Sequence, residues 1–116
     1  MKHIRIGNIR TAFEPMVASR SAQMAMMSLR PGEASDDHPR NEHPRSEQWL
    51  LVLAGNGVAT IGKRGSTRRV KLAPNSLLLI EKGERHRIKN AGRKLLRTVN
   101  LYVPPAYKPD GNLRPR

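Results

Sequence analysis

Four histidines and no cysteine bound the chemistry open to this chain. Without thiols there can be no disulfide framework, thiolate zinc site, iron–sulfur cluster or Cys nucleophile. Imidazole nitrogen is then the strongest metal-binding donor available, suited to zinc, nickel, iron and copper. Two imidazoles alone hold a metal weakly, and a carboxylate would add a charge that an amide cannot. The histidines near turn signals are His38, His43 and His86. His38-Pro39-Arg40-Asn41-Glu42 is echoed at once by His43-Pro44-Arg45-Ser46-Glu47. Each of these two histidines precedes a proline, whose ring holds it extended. On an extended segment Asn41 and His43 share a face. Met24, Met26 and Met27 read as core or dimer-interface packing rather than copper ligands.

These side chains must be held by strands. Ala22–Leu29 ends at Pro31-Gly32, a turn signal, and no 12-residue stretch carries a 3.6-residue apolar stripe. Gln48–Ala54 is an apolar run closed by Gly55-Asn56-Gly57, the pattern of a buried strand and a tight turn. Val58–Ile61, Arg69–Leu72, Leu77–Ile80, His86–Asn90 and Leu95–Val103 follow at the short, regular spacing of a β-sandwich or barrel. The chain therefore divides into an N-terminal arm or edge strand over 1–20, a barrel over 21–103 and a Pro-rich tail over 104–116. In the arm, Ile4, Ile6 and Ile9 suit an edge strand and Glu14-Pro15 breaks the pattern. The tail is expected to be extended or disordered unless a surface orders it. At 116 residues this is one domain with room for a real core.

Two stretches stand out together: Pro31-Gly32 with His38, Asn41, His43, Gln48 and Gly55, and Asn75 with Gly83, His86 and Asn90. They resemble the cupin family, whose motifs run G-x5-H-x-H-x3–4-E-x6-G and G-x5-P-x-G-x2-H-x3-N. The resemblance spans roughly residues 22–103 and is good in Gly83-x2-His86-x3-Asn90 and Gln48-x6-Gly55. It implies an all-β fold, a small single-domain jelly roll. It also implies a divalent transition metal (Zn, Ni, Mn or Fe) held inside the barrel, in the family by three His and one Glu. Carried over residue by residue, His43 and His86 match two of the family's histidines. Asn41 falls on the other histidine and Gln48 on the glutamate, while Asn75 and Glu81 stand for the second motif's leading Gly and Pro. The metal set is thus His43, Gln48 and His86. Asn41, His38 and Glu47 are further ligand-binding candidates, since His38 could complete a three-His set and a slip at Pro44 would turn Glu47 inward instead of Gln48. Affinity for metal is expected to fall below about pH 6.5, the ordinary His value.

Twenty-two Lys+Arg against nine Asp+Glu give a formal charge of +13. Lys63–Arg97 carries twelve cations against Glu81 and Glu84, a net of +10, whereas Pro31–Gln48 carries a net of −3. Four aromatics are too few for a base-stacking platform, and no helix-turn-helix is present. Nucleic-acid binding is expected to be non-specific and governed by salt, because alternation leaves only about half of those cations on one face. The longest wholly apolar run, Trp49–Ala54, has six residues, and the N-terminus leads into no apolar signal segment. The expectation is a cytoplasmic homodimer with a small-molecule ligand or substrate, no membrane and no specific nucleic acid. Three functions remain open. One is a metal-dependent cupin, with or without catalysis; the family includes dioxygenases, isomerases and decarboxylases and so selects no reaction. The second is a metal-free ligand-binding or sensory barrel, and the third an electrostatic binder of nucleic acid or an acidic partner.

Overall fold

The computed structural model describes residues 1–36, 43–63 and 65–115. His38 and Asn41 lie outside them. Eight strands follow in order: β1 (Phe13–Ala18), β2 (Gln23–Leu29), β3 (Glu47–Ala54), β4 (Gly57–Lys63), β5 (Ser66–Leu72), β6 (Leu77–Ile80), β7 (Arg85–Asn90) and β8 (Leu96–Val103). They form a five-stranded sheet, ordered β1-β2-β8-β3-β6, and a three-stranded sheet, ordered β5-β4-β7. Every pairing between these strands is antiparallel. This is an all-β, jelly-roll-like fold.

Alternation along the strands makes the core. On β8, Leu96, Thr98, Asn100 and Tyr102 are buried, while the residues between them are half-buried on the opposite face. Leu29 from β2, Leu50 and Val52 from β3, Ala59 from β4, Leu72 from β5, Ile88 from β7 and Leu96 from β8 fill the space between the sheets. The same alternation on β3 buries Gln48 and leaves Glu47 half-buried. The slip that would have brought Glu47 inward does not occur.

The edge strand of the arm falls at Phe13–Ala18, not on Ile4, Ile6 and Ile9. Glu14-Pro15 is tolerated there because β1 is the outermost strand and its register shifts between Pro15 and Val17. The tail finds its ordering surface within its own chain. Gln23 Oε1 accepts from the backbone N–H groups of Ala106 (3.1 Å) and Tyr107 (3.0 Å), and Gln23 Nε2 donates to the Tyr107 carbonyl (2.8 Å). Ala106 and Tyr107 are buried in a small cluster with Ala25 and Tyr102.

Candidate functional site

His86 reaches the interior by local turn chemistry. Gly83 adopts φ +85°, and the turn closes with the Glu84 N–H donating to the Glu81 carbonyl at 3.1 Å. The glycine takes this left-handed conformation without the penalty a Cβ would bring. β7 then starts in the phase that buries His86, Ile88 and Asn90. Asn90 holds the far end of β7 by donating to the carbonyls of Leu29 and Lys94, both at 2.8 Å.

His43 sits just before β3, in a turn closed by the Ser46 N–H donating to its carbonyl at 2.9 Å. Ser46 Oγ ties that turn to the Pro104 carbonyl at 2.7 Å. The two imidazoles, both buried, lie with ring centroids 4.9 Å apart. Each is pinned through Nδ1 to a backbone carbonyl: His43 to Ser46 at 3.1 Å and His86 to Glu84 at 3.3 Å. An Nδ1–H used this way leaves Nε2 as the lone-pair nitrogen, the arrangement that orients metal-binding histidines.

Gln48 completes the group through a chain of amides. Asn100 Nδ2 donates to Thr98 Oγ1 at 3.0 Å, and Asn100 Oδ1 accepts from Gln48 Nε2 at 2.8 Å. This orientation turns Gln48 Oε1 toward His43 Nε2, 2.9 Å away. Both ring nitrogens of His43 therefore face oxygen acceptors, although a neutral imidazole carries only one N–H. A metal ion beside both atoms, accepting a lone pair from His43 Nε2 and from Gln48 Oε1, would satisfy the pair. Two imidazole nitrogens and an amide oxygen fit a divalent ion of the zinc–nickel–iron class. Among the described residues, no group of three or more His, Asp or Glu side chains is placed to hold a metal ion.

Burial and the neighbouring His43 push the His86 pKa from the usual 6.5 down to about 4. The carbonyl and charge of Glu84, and the charge of Asp36, act in the opposite direction. Proton competition at His86 is thereby displaced from the expected pH 6.5 to near pH 4. A stability effect follows with a definite sign. Between these values the unfolded chain takes up a proton that native His86 refuses, so stability present above pH 6.5 is lost as pH falls toward 4. The shift corresponds to about 3 kcal/mol. Urea unfolding of chelator-treated protein at pH 7 and pH 4.5 should show this loss, and His86→Gln should remove most of it. Equal losses in both proteins would show that other groups carry the acid sensitivity.

A cavity of about 300 Å³ opens beside the pair, lined by His86, Gln48 and Ser35 on its polar side and by Phe13, Tyr102 and Tyr107 among its apolar walls. Phe13 and Tyr107 lie 4.6 Å apart between centroids, and Tyr102 approaches His43 at 5.1 Å. Sequence reasoning weighed these aromatics only as a base-stacking platform and placed none of the three, nor Asn100, in the site. Tyr102 faces Gln48 across the β3–β8 pairing, and its inward phase on β8 was the available signal. Tyr107 follows the prolines of the tail and had no such signal.

A family model described as Cupin domain matches residues 25–102. The chain is 29% identical over 109 residues to the Tetracenomycin polyketide synthase protein TcmJ of Streptomyces glaucescens, covering 93% of this chain and 68% of that one. It is 33% identical over 107 residues to Protein SchB of Streptomyces halstedii, covering 91% and 72%. The crystal structure of BH2720 from Bacillus halodurans superposes with a TM-score of 0.81 at 24% identity, over 92% of this chain and 80% of that one. That likeness concerns the fold alone.

Proposed function

Because the chain belongs to the cupin domain family, we propose that its barrel binds a small molecule beside a divalent transition metal held by His43, Gln48 and His86. The observation that carries this is the pair of buried imidazoles, each fixed through Nδ1, with the Gln48 oxygen 2.9 Å from one of them. Zinc, nickel, manganese and iron are the candidates. When bound, such an ion would offer open coordination positions to ligand oxygens. The chain itself contributes orientation: Asn100 holds the Gln48 amide, and Phe13, Tyr102 and Tyr107 supply apolar walls. A cavity of about 300 Å³ is at the small end for ligand sites. Its character suits an apolar ring bearing oxygen substituents, and the likeness to a polyketide synthase protein of Streptomyces glaucescens points to a polyketide-derived ligand. Metal analysis of untagged protein purified without chelator should find close to one equivalent of one of these metals. Protein that arrives metal-free and takes up none on titration would overturn the reading in favour of a metal-free ligand-binding barrel. The full amide chain from Thr98 to Gln48 and the lack, among the described residues, of a carboxylate grouped with the histidines are what support that second reading.

The same reading takes the protein as a cytoplasmic homodimer. Among the described residues no helix is long and apolar enough to cross a membrane. On the outer face of the five-stranded sheet Trp49 stands opposite Leu79 and Leu101, and Leu51 opposite Leu77 and Val99. Trp49, Leu51, Leu77 and Leu79 are 36–66% exposed. On a chain of charge +13, these six positions form an uncharged island where two copies can meet without repulsion. Light scattering should give twice the 13.0 kDa chain mass. Leu77→Lys/Leu79→Lys should return one chain mass and shift the emission of Trp49, the single tryptophan, to the red. A monomeric parent protein would rule the dimer out.

A further inference from the structure

The outer face of the three-stranded sheet has the opposite character. Thr60 of β4 pairs with Arg69 on one side and Arg87 on the other. Val58 pairs with Lys71 and Lys89, and Gly62 with Thr67 and Arg85. These nine residues share one face, because Ala59, Leu72 and Ile88, one step out of phase, are in the core. Five of the nine are cations and none is acidic. They form two rails, Arg69 with Lys71 and Arg85 with Arg87 and Lys89, on either side of a neutral floor. Arg69, Lys71, Arg85 and Lys89 are exposed. A Cβ added at Gly62 would stand 3.8 Å from Arg85 Nη2, so the guanidinium reaches over the floor. Arg87, half-buried, is steadied by Nε donating to the Asp36 carbonyl at 2.8 Å.

We propose that this face docks the phosphate backbone of a nucleic-acid duplex without regard to sequence. Cations on one rail recur every two residues, about 6.7 Å, and the rails are about 10 Å apart across two strand spacings. The first interval is close to that of successive phosphates on one strand. Three of the five cations are arginines, whose planar forks suit phosphate oxygens. A protein partner is disfavoured because Val58 is the only apolar anchor among these nine residues, whereas protein interfaces rest on buried aromatic and aliphatic side chains. Single strands are disfavoured because the face carries no aromatic ring on which bases could stack. The register makes concrete the expectation that only some of the cations of Lys63–Arg97 can act together. The proposal is independent of the metal and ligand reading, which concerns the other side of the same sheet.

Five phosphate contacts give a slope near −4.5 in log affinity against log salt, or about 500-fold between 50 and 200 mM. Fluorescence anisotropy should follow two unrelated duplexes of equal length, one single strand, poly-glutamate, and phosphatidylglycerol–phosphatidylcholine vesicles. The two duplexes should bind equally and more tightly than the other probes. Arg69→Gln/Lys71→Gln/Lys89→Gln, all at exposed positions, should weaken duplex binding at least tenfold at low salt and reduce the slope to about −1.8. Arg5→Gln/Arg20→Gln/Lys108→Gln removes the same charge elsewhere on the surface and should cost under threefold. Circular dichroism should confirm that both triple variants stay folded. Equal losses in the two variants would overturn the proposal by showing that net charge alone binds. A tighter single strand, poly-glutamate or vesicle would overturn it by assigning the face to that partner, and a preference between the duplexes would overturn its sequence independence.

Discussion

His86→Ala and His43→Ala are each expected to abolish measurable binding of divalent metal, while Gln48→Glu strengthens it at least tenfold. Removing either ring leaves one imidazole and one amide oxygen, a donor set too poor to compete with water for zinc, nickel or manganese. The Gln48→Glu change places a carboxylate 2.9 Å from His43 Nε2 and adds the charge neutralisation the native group lacks. It also sets a carboxylate oxygen against Asn100 Oδ1, which now accepts from Gln48 Nε2 at 2.8 Å. Rotation of the Asn100 amide relieves that clash: Thr98 Oγ1 can donate to the turned Asn100 Oδ1, while the Ala25 and Thr98 carbonyls lose their long contacts with Asn100 Nδ2, at 3.4 and 3.5 Å. The metal-free Gln48→Glu protein should therefore melt lower than its parent, since it buries a charge, and regain the difference on metal addition. His38→Ala is expected to bind as the parent does. Isothermal titration with Zn²⁺, Ni²⁺ and Mn²⁺, together with melting curves for each variant, tests the set. Loss of binding in His38→Ala alone would overturn the assignment of the site to His43, Gln48 and His86.

Gly55→Ala is expected to produce the largest loss of stability of any alanine substitution at a glycine outside the strands. Gly55 opens the turn between β3 and β4 at φ +86°. A Cβ there would fall 2.5 Å from the Leu95 carbonyl oxygen and 2.8 Å from Leu96 Cα. Both are backbone atoms at the start of β8, which has no freedom to move because it is paired on both sides, with β2 and β3. The left-handed backbone costs alanine about 1–2 kcal/mol, and the overlap raises the total to roughly 3 kcal/mol or more. Tm should drop by about 10 °C or more. Gly83 is the internal control. Its φ is +85°, yet nothing lies within 4 Å of an added Cβ, so Gly83→Ala should cost only the backbone part, about 1 kcal/mol. Equal shifts for the two variants in a thermal melt would refute the close approach at Gly55.

The spacing Gln48-x6-Gly55 that drew attention in the sequence thus has a packing origin. Gly55 lets the end of β3 press against Leu95 and Leu96, and alternation back along β3 buries Gln48. Gly83-x2-His86-x3-Asn90 is similar: one left-handed glycine starts β7, and the inward phase then carries His86 and Asn90. Features of this kind are local. They depend on turn chemistry and on a period of two, so they can be read from a few adjacent residues. The all-β class, seven of the eight strands and the inward phase of Gln48 were legible for that reason. The edge strand was misplaced because Pro15 argues against a strand until its position at the sheet margin is known.

The amino-acid sequence alone determined that the chain folds as antiparallel strands, that imidazole is its strongest metal donor, and that its cations concentrate in Lys63–Arg97. Only the tertiary structure decided what those groups meet. Asn100 reaches Gln48 through the β3–β8 pairing, 52 positions apart in the chain, and thereby aims the amide oxygen at His43. Gln23 captures the backbone of Tyr107 across 84 positions, bringing the tail in as a cavity wall. The pairing of β4 with both β5 and β7 gathers Arg69, Lys71, Arg85, Arg87 and Lys89 on one face, which a list of charges does not reveal. Each of these contacts depends on the register between strands distant in sequence. A one-residue change of register would reverse the face of every side chain involved, and the whole packed core selects the register.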